Sequence, residues 1–416
     1  MEYEVKEVRS HFPSMKSGAV FFDNPGGTQV PSGVIEAVGD YYITSNANVH
    51  GSYATSRRTD RVVASARESI ADFINAPSAR SVILGPNMTS LTLQLSRALG
   101  RRISKGDEIV VTNLDHDANI SPWLHMEEKG AVIRWVDINT DDATLDTSSL
   151  ERCLGPGTKI VAVGYASNAV GTVNDLKSII AMARDAGAMV FVDAVHYAPH
   201  GPVDVQDLGC DFLACSPYKF YGPHTGALYG KPDLLEELKP YKVRPASDDV
   251  PEKFETGTLN HEGLAGISAA VDFIASIGEK YGSAFAGRFE GFEGRRLRLK
   301  TAMAAINEYE RKLFVRLFNG LRDVPGIRIY GITDPDRFEQ RTPTAAFTLE
   351  TFTPKQTAAY LGDRDIYVWE GNYYALAVME ALGLEGKGGA VRVGLGCYNT
   401  EDEVDRFLSA MHDMVS

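Results

Sequence analysis

The chain has 416 residues, with 42 Lys and Arg against 55 Asp and Glu, a formal net charge of −13. That balance argues against a general nucleic-acid binder, which carries a basic face, but leaves room for a local basic pocket around a small anion. Hydrophobic residues make up 44% and charged residues 23%, the profile of a soluble globular protein whose length allows two or three domains.

Cys153, Cys210, Cys215 and Cys397 form no CxxC pair and no disulfide framework, so they read as free thiols in a reducing compartment. Residues 1–10 are charged and mixed, unlike a signal peptide. No apolar run approaches the ~20 residues that cross a bilayer. A cytoplasmic protein with no membrane and no nucleic-acid partner is expected.

In chain order, residues 61–74 are amphipathic, with Val63, Ala66, Ile70 and Phe73 at helical spacing. Gly85-Pro86-Asn87-Met88-Thr89-Ser90 precedes the helical run LTLQLSRAL, as either an anion site or a plain helix cap. Apolar runs rich in Val, Ile and Phe follow at 107–113, 131–138, 159–167, 188–193 and 211–216, and read as strands covered on both faces. Helical stretches lie between them, the clearest at 175–186. This alternation predicts a mostly parallel α/β sheet.

Residues 264–278 predict an apolar helix, and 290–321, rich in Arg, Lys, Glu and Ala, predict one or two long surface helices. Strands at 327–330, 344–348, 366–369 and 391–395, with helices at 354–361 and 400–414, predict a smaller α+β domain. The boundary is expected between 280 and 300, with residues 15–290 as the large domain and 1–14 plus 291–416 as the small one.

The chemistry-bearing residues sit where the strands end, the edge at which open α/β sheets bind ligands. Asp115 and His116 follow the first strand of the series, Asn168 the third, Asp193 closes the fourth with His196 three residues on, and Ser216 and Lys219 follow the fifth. Taken singly, Asp193 could cap a helix and Lys219 could be a solvated surface charge. Lys219, however, lies in SPYKFYGPHTG, between aromatics and glycines directly after an apolar strand. Burial there lowers an amine's pKa and favours its nucleophilic form. No GxGxxG follows a strand, no P-loop is present, and no His/Cys cluster indicates a metal. A lysine, a carboxylate, an imidazole, an amide and a phosphate cradle together fit pyridoxal 5′-phosphate.

Several motifs occur in a set order: Phe21-Phe22-Asp23-Asn24, Ala47-Asn48-Val49-His50-Gly51, His116 to Trp123, Ser167-Asn168, Val192-Asp193, Ser216 to Lys219, Gly257-Thr258 and Tyr398-Asn399-Thr400. In this order they resemble the class V aminotransferase superfamily, and within it the cysteine desulfurase-like proteins. The resemblance implies a pyridoxal phosphate enzyme of fold type I, with a mostly parallel seven-stranded sheet in its large domain. It implies a homodimer with shared active sites and a small amino-acid substrate. By the same resemblance Lys219 is the Schiff-base lysine, Asp193 the partner of the pyridinium nitrogen and His116 the imidazole stacked on the ring. Asn168 stands near the phenolic oxygen, and His196 takes a place where the family often has Gln. Thr89, the Met88 backbone and Ser216 hold the phosphate, and Thr258 reaches the phosphate of the neighbouring subunit. Arg392 clamps the substrate carboxylate, and Asn24, His50 and Tyr374 complete the expected substrate contacts.

The sequence departs from that pattern in the loop 368–375 (VWEGNYYA), where Tyr374 falls at the position of the desulfurase cysteine and Trp369 at that of a substrate-binding arginine. Tyrosine cannot accept a sulfane sulfur as a thiolate does. The expectation is a C–S lyase or desulfurase-like reaction without a persulfide on that loop. An aminotransferase, an epimerase or a decarboxylative C–C bond-forming enzyme on the same fold, or a non-catalytic sulfur-transfer partner with a vestigial site, are the alternatives.

Overall fold

The computed structural model describes residues 2–416; Met1 lies outside the described residues. Among these, seven strands make the main sheet: β1 (Val82–Gly85), β2 (Glu108–Thr112), β3 (Val132–Val136), β4 (Thr158–Gly164), β5 (Met189–Asp193), β6 (Phe212–Cys215) and β7 (Gly226–Gly230). Their spatial order is β1-β7-β6-β5-β4-β2-β3. The five from β6 to β3 run parallel, and β7 is antiparallel to both of its neighbours. Parallel strands need long crossovers, which lay helices on both faces of the sheet. The alternation along β5 records those two faces: Val190 and Val192 enter one core, Phe191 the other.

The helices that bear on the site are α1 (Ala54–Phe73), α2 (Met88–Leu99), α3 (Leu176–Asp185), α4 (His261–Tyr281) and α5 (Gly294–Arg322). The start of α3 is fixed by Asp175, whose carboxylate accepts the Ser178 backbone N–H at 3.2 Å. The N-terminal segment packs inward as well. Val8 and Phe12 fill the core on one face of the main sheet, and Arg9 pairs with Glu403 at 2.7 Å.

A second, antiparallel sheet contains β8 (Ile327–Tyr330), β9 (Thr344–Leu349), β10 (Trp369–Gly371) and β11 (Ala390–Gly394) in the order β8-β9-β11-β10. One face is covered by α5 together with α6 (Pro354–Gly362) and α7 (Glu401–Val415), through Phe318, Leu361 and Phe407 against Phe347 and Val393. On β11, Arg392 pairs with Ala346 and Trp369, so these three side chains share the opposite face.

Three expectations need correction. Residues 131–138 do not form a strand covered on both faces; β3 lies at one sheet edge, with Val132 39% and Trp135 37% exposed, so its faces are only partly covered. The long helix expected within residues 290–321 is present, but it is buried along one side and is not a surface helix throughout. From Gly294 onward the chain forms one 29-residue helix, α5, whose Leu299, Met303 and Ile306 enter the main-sheet core while Leu313, Phe314, Leu317 and Leu321 enter the second core. Its charged composition hid an apolar stripe at every third or fourth position, which is enough to bury a helix. Residues 366–369 are not one strand: Ile366–Tyr367 pairs with Val20–Phe21, and at Trp369 the chain switches to β11. No helix among the described residues is long and apolar enough to cross a membrane.

Because α5 carries part of both cores, Leu317→Ala should lower the unfolding free energy by about 2–5 kcal/mol. Lys312→Ala, on the exposed face of the same helix, should change it by less than about 0.5 kcal/mol. Urea denaturation of the two variants checks the contrast.

Candidate active site

At the carboxyl edge of the parallel strands lies a cavity of about 300 Å³. The main sheet supplies Asp115 and His116 beyond β2, Asn168 beyond β4, Asp193 and His196 at and beyond β5, and Ser216 and Lys219 beyond β6. Met88 and Thr89 come from the start of α2. From the other side come Trp369 on β10, Tyr373 and Tyr374 in the following loop, Arg392 on β11, and Asp23 from the N-terminal segment.

Lys219 is buried, and its Nζ donates to the Pro25 carbonyl. Burial, then the Arg392 charge, push its pKa down to about 7, against the opposite pull of Asp23 and Asp193. Near neutrality a fraction of this lysine is therefore a free amine, the form that attacks a carbonyl carbon. Asp193 is buried too. The Val195 N–H donates to its Oδ1 at 2.8 Å, and burial pushes its pKa up to about 6. At pH 7 it is mostly a carboxylate, suited to a cationic ring nitrogen.

His116 accepts the Ala118 backbone N–H on Nδ1 at 3.0 Å, so the neutral ring carries its proton on Nε2. Burial and the Lys219 charge push its pKa down to about 4, so the ring is neutral. The Tyr374 ring lies parallel to it, centroids 5.8 Å apart and planes 17° off. Tyr373 and Tyr374 both adopt positive φ, 57° each, and the Asp117 N–H donates to the Tyr374 carbonyl at 2.6 Å. Two consecutive non-glycine residues in the left-handed region are a local cost of the kind that clusters at functional sites. Beneath them Asp115 accepts from the Gly164 N–H at 2.9 Å and the Asn119 amide at 2.7 Å, and burial pushes it up to about 7.

The first turn of α2 opens onto the cavity with Asn87 as its cap, accepting the Ser90 N–H at 2.8 Å. The first amides of a helix have no partner within it and form an anion site. β7 passes so close beneath this turn that a Cβ on Gly226 would lie 2.4 Å from the Asn87 carbonyl carbon. Only glycine allows that approach. His196 is held at Nε2 by the hydroxyls of Thr342 at 3.0 Å and Thr344 at 3.2 Å, and burial keeps it neutral.

Arg392 is fully enclosed. Its Nη1 donates to the Asn168 carbonyl at 2.9 Å, Nη2 lies 3.4 Å from Asp23 Oδ1, and the guanidinium sits 4.4 Å from the Tyr373 ring centroid. Its Nε and the Asn168 Oδ1 are buried with no partner among the described residues. Sequence reasoning missed Asp23 in this role. It lay within the quoted Phe21-Phe22-Asp23-Asn24 motif, but no local signal ties it to Arg392.

Three expected residues lie outside the cavity. Asn24 spends its amide on the Gly394 carbonyl at 2.8 Å and Asn399 Oδ1 at 2.9 Å, so it knits the N-terminal segment to β11 instead of contacting a ligand. His50 is on an exposed turn at φ 66°, with Nδ1 3.4 Å from Asp60. Thr258 is exposed, in the segment before α4, and does not line the cavity of its own chain.

The residues present fit pyridoxal 5′-phosphate. The start of α2 with Thr89 and Ser216 matches the phosphate, Asp193 the ring nitrogen, the unpartnered end of the Asn168 amide the phenolic oxygen, and Lys219 the aldehyde. This fold with this site defines a pyridoxal phosphate-dependent enzyme of fold type I. The model of the family Aminotransferase class-V matches residues 20–284 and 295–407. A cysteine desulfurase of Pectobacterium atrosepticum is 30% identical over 99% of this chain and 98% of its own. An aminotransferase-like protein of Gibberella zeae is 32% identical over 98% of each. The apo structure of a cysteine desulfurase from Thermococcus onnurineus superimposes with a TM-score of 0.87 at 28% identity, covering 99% of this chain and 98% of that one. The chain belongs to the class V aminotransferase family and is a cysteine desulfurase-like enzyme.

In protein stripped of cofactor, the rate of pyridoxal 5′-phosphate uptake should rise as pH passes through about 7 and level off above it, because the Lys219 amine is protonated below that value and free above it. Absorbance-monitored mixing over a pH series checks this. An ordinary lysine would give a rate still climbing towards about pH 10.

Proposed function

We propose that the protein is a pyridoxal phosphate-dependent lyase that breaks a carbon–sulfur bond in an amino-acid-like substrate and releases the sulfur fragment without storing it on the enzyme. The observation behind this reading is the lining of the cavity, which contains no cysteine and places Tyr374, 75% exposed, at its mouth. Cys210, Cys215 and Cys397 are buried, and burial pushes the thiols of Cys210 and Cys215 up to about 12 and that of Cys397 further. Cys153, behind β3, donates to the Trp135 carbonyl at 3.3 Å and does not line the cavity. None is a ready thiolate.

The bound cofactor supplies an electron sink for negative charge at the substrate's α-carbon. The chain does the rest. Arg392 receives the substrate carboxylate through its forked N–H groups. Lys219 Nζ takes a proton from the α-carbon and returns one, a task suited to a group whose pKa lies near the working pH. Asp193 keeps a negative charge on the cavity floor, while neutral His116 holds its ring in place without adding a competing charge. Trp369 and Tyr374 give the mouth an aromatic wall suited to a side chain larger than that of cysteine.

The working unit in this reading is a homodimer in which Thr258 of one chain reaches the phosphate end of the other chain's cavity. Supporting it, Thr258 is exposed close to the start of α4. The helix Ser32–Thr44 packs on α4 and leaves Ile35, Tyr42 and Ile43 facing outward, an apolar set that a second copy would cover.

Asp193→Asn removes the charge opposite the ring nitrogen and should slow turnover by about 100-fold or more, roughly 3 kcal/mol of barrier, while cofactor is still bound. Steady-state rates and the cofactor absorbance of the variant test this. The lyase reading itself is tested with cysteine and S-substituted cysteines. A variant with all four cysteines replaced by serine should release sulfide or thiol at the wild-type rate, and mass spectrometry should find no protein species heavier by one sulfur atom. A stable persulfide together with loss of turnover in that variant overturns the reading.

A further inference from the structure

We infer that Asp23 is the subsite for the substrate's ammonium group and selects α-amino acids over carboxylic acids that lack the amine, 2-oxo acids included; this rests on the amino-acid reading above. The local fold delivers this carboxylate to the cavity. Asp23 follows the short pairing of Val20–Phe21 with Ile366–Tyr367 and bridges to Gly394 at the end of β11, the strand that carries Arg392. Its side chain remains 28% exposed, with Oδ1 3.4 Å from Arg392 Nη2.

The carboxylate has little freedom to withdraw. The Gly26 N–H donates to the Asp23 backbone carbonyl at 2.9 Å, and a Cβ at Gly26 would lie 2.5 Å from Oδ2, so the chain folds directly around the group. Arg392 is pinned on its other side by the Asn168 carbonyl and the Tyr373 ring, and its Nε has no partner among the described residues. A substrate carboxylate can therefore engage Arg392, but only beside Asp23.

Two carboxylates sharing one guanidinium in a water-poor cavity repel each other. A cation between them removes the repulsion. An α-amino acid brings that cation on the same carbon as its carboxylate, so its two charges mirror the Arg392–Asp23 pair. The position is also the productive one. Lys219 Nζ donates to the carbonyl of Pro25, two residues from Asp23, so an ammonium on Asp23 arrives in the corner that holds the reactive nitrogen. A 2-oxo acid brings the carboxylate without the cation and meets Asp23 uncompensated. The cavity is thereby biased against returning an amine to an oxo acid, which separates this site from an aminotransferase.

Calorimetric titration of the holoenzyme with L-alanine, propionate and pyruvate reads the selection. Wild-type protein should bind L-alanine roughly tenfold tighter than either acid. Asp23→Asn keeps the size of the side chain and the Gly26 bond to the backbone carbonyl, and removes the charge. It should tighten propionate and pyruvate and weaken L-alanine, so the preference collapses from both sides, whereas Arg392→Gln should weaken all three. If Asp23→Asn weakens all three alike, the carboxylate only holds Arg392 and the assignment is overturned. If wild-type protein binds none of the three at millimolar concentration, the amino-acid reading itself falls and takes the assignment with it.

Discussion

A guanidinium 3% exposed is the constraint around which the two sheets meet. A charge taken out of water must be met by partners in good geometry, and losing one of them leaves the rest of the cost standing. Arg392 collects its partners from three separate parts of the chain that border the cavity: a carbonyl beyond β4, a carboxylate from the N-terminal segment, and an aromatic face from the loop after β10. Those parts hold each other in turn. The Asn168 amide donates to the Tyr373 carbonyl at 2.9 Å, and the Tyr373 hydroxyl donates to the Ala390 carbonyl. The strained tyrosine pair, the roof strand and the floor of the cavity are thus one connected arrangement, and the arginine is at its centre.

Burial at this edge acts on acids and bases in opposite directions, and the site uses both. The same exclusion of water that releases a proton from Lys219 raises Asp193 and Asp115 and keeps His116 and His196 neutral. A cavity that would hold a dense set of full charges in water instead holds few near neutrality. Arg392 with Asp23, and the carboxylate of Asp193, stand at the two places where a zwitterion and a ring nitrogen need them; burial raises Asp23 while the Arg392 charge beside it pulls the other way.

The parallel sheet was legible because buried strands are written as continuous apolar runs, and the residues at their ends then fell on one edge by topology alone. Lys219, Asp193, His116 and Asn168 converge there. The helix at 175–186 was legible from its apolar stripe. What was not legible depends on partners far along the chain. Asp23 and Arg392 are 369 positions apart, and only the bridge between the N-terminal segment and β11 brings them together. Asn24 stood beside Asp23 in the same motif but turns its amide into the backbone of β11, an orientation no spacing reveals. β7, with glycine at both ends, lacked the branched residues that announce a strand, because its place beneath the start of α2 demands a missing side chain. α5 hid its apolar stripe among arginines, lysines and glutamates.

That helix also limits how the molecule can move. α5 runs unbroken for 29 residues, with its first half locked into one core and its second half into the other. A hinge between the two sheets would have to bend this rod or draw one end out of its packing, and either costs far more than a loop displacement. The separation of the two sheets is thus tied to the packing of a single helix. One rod sets the gauge between two walls.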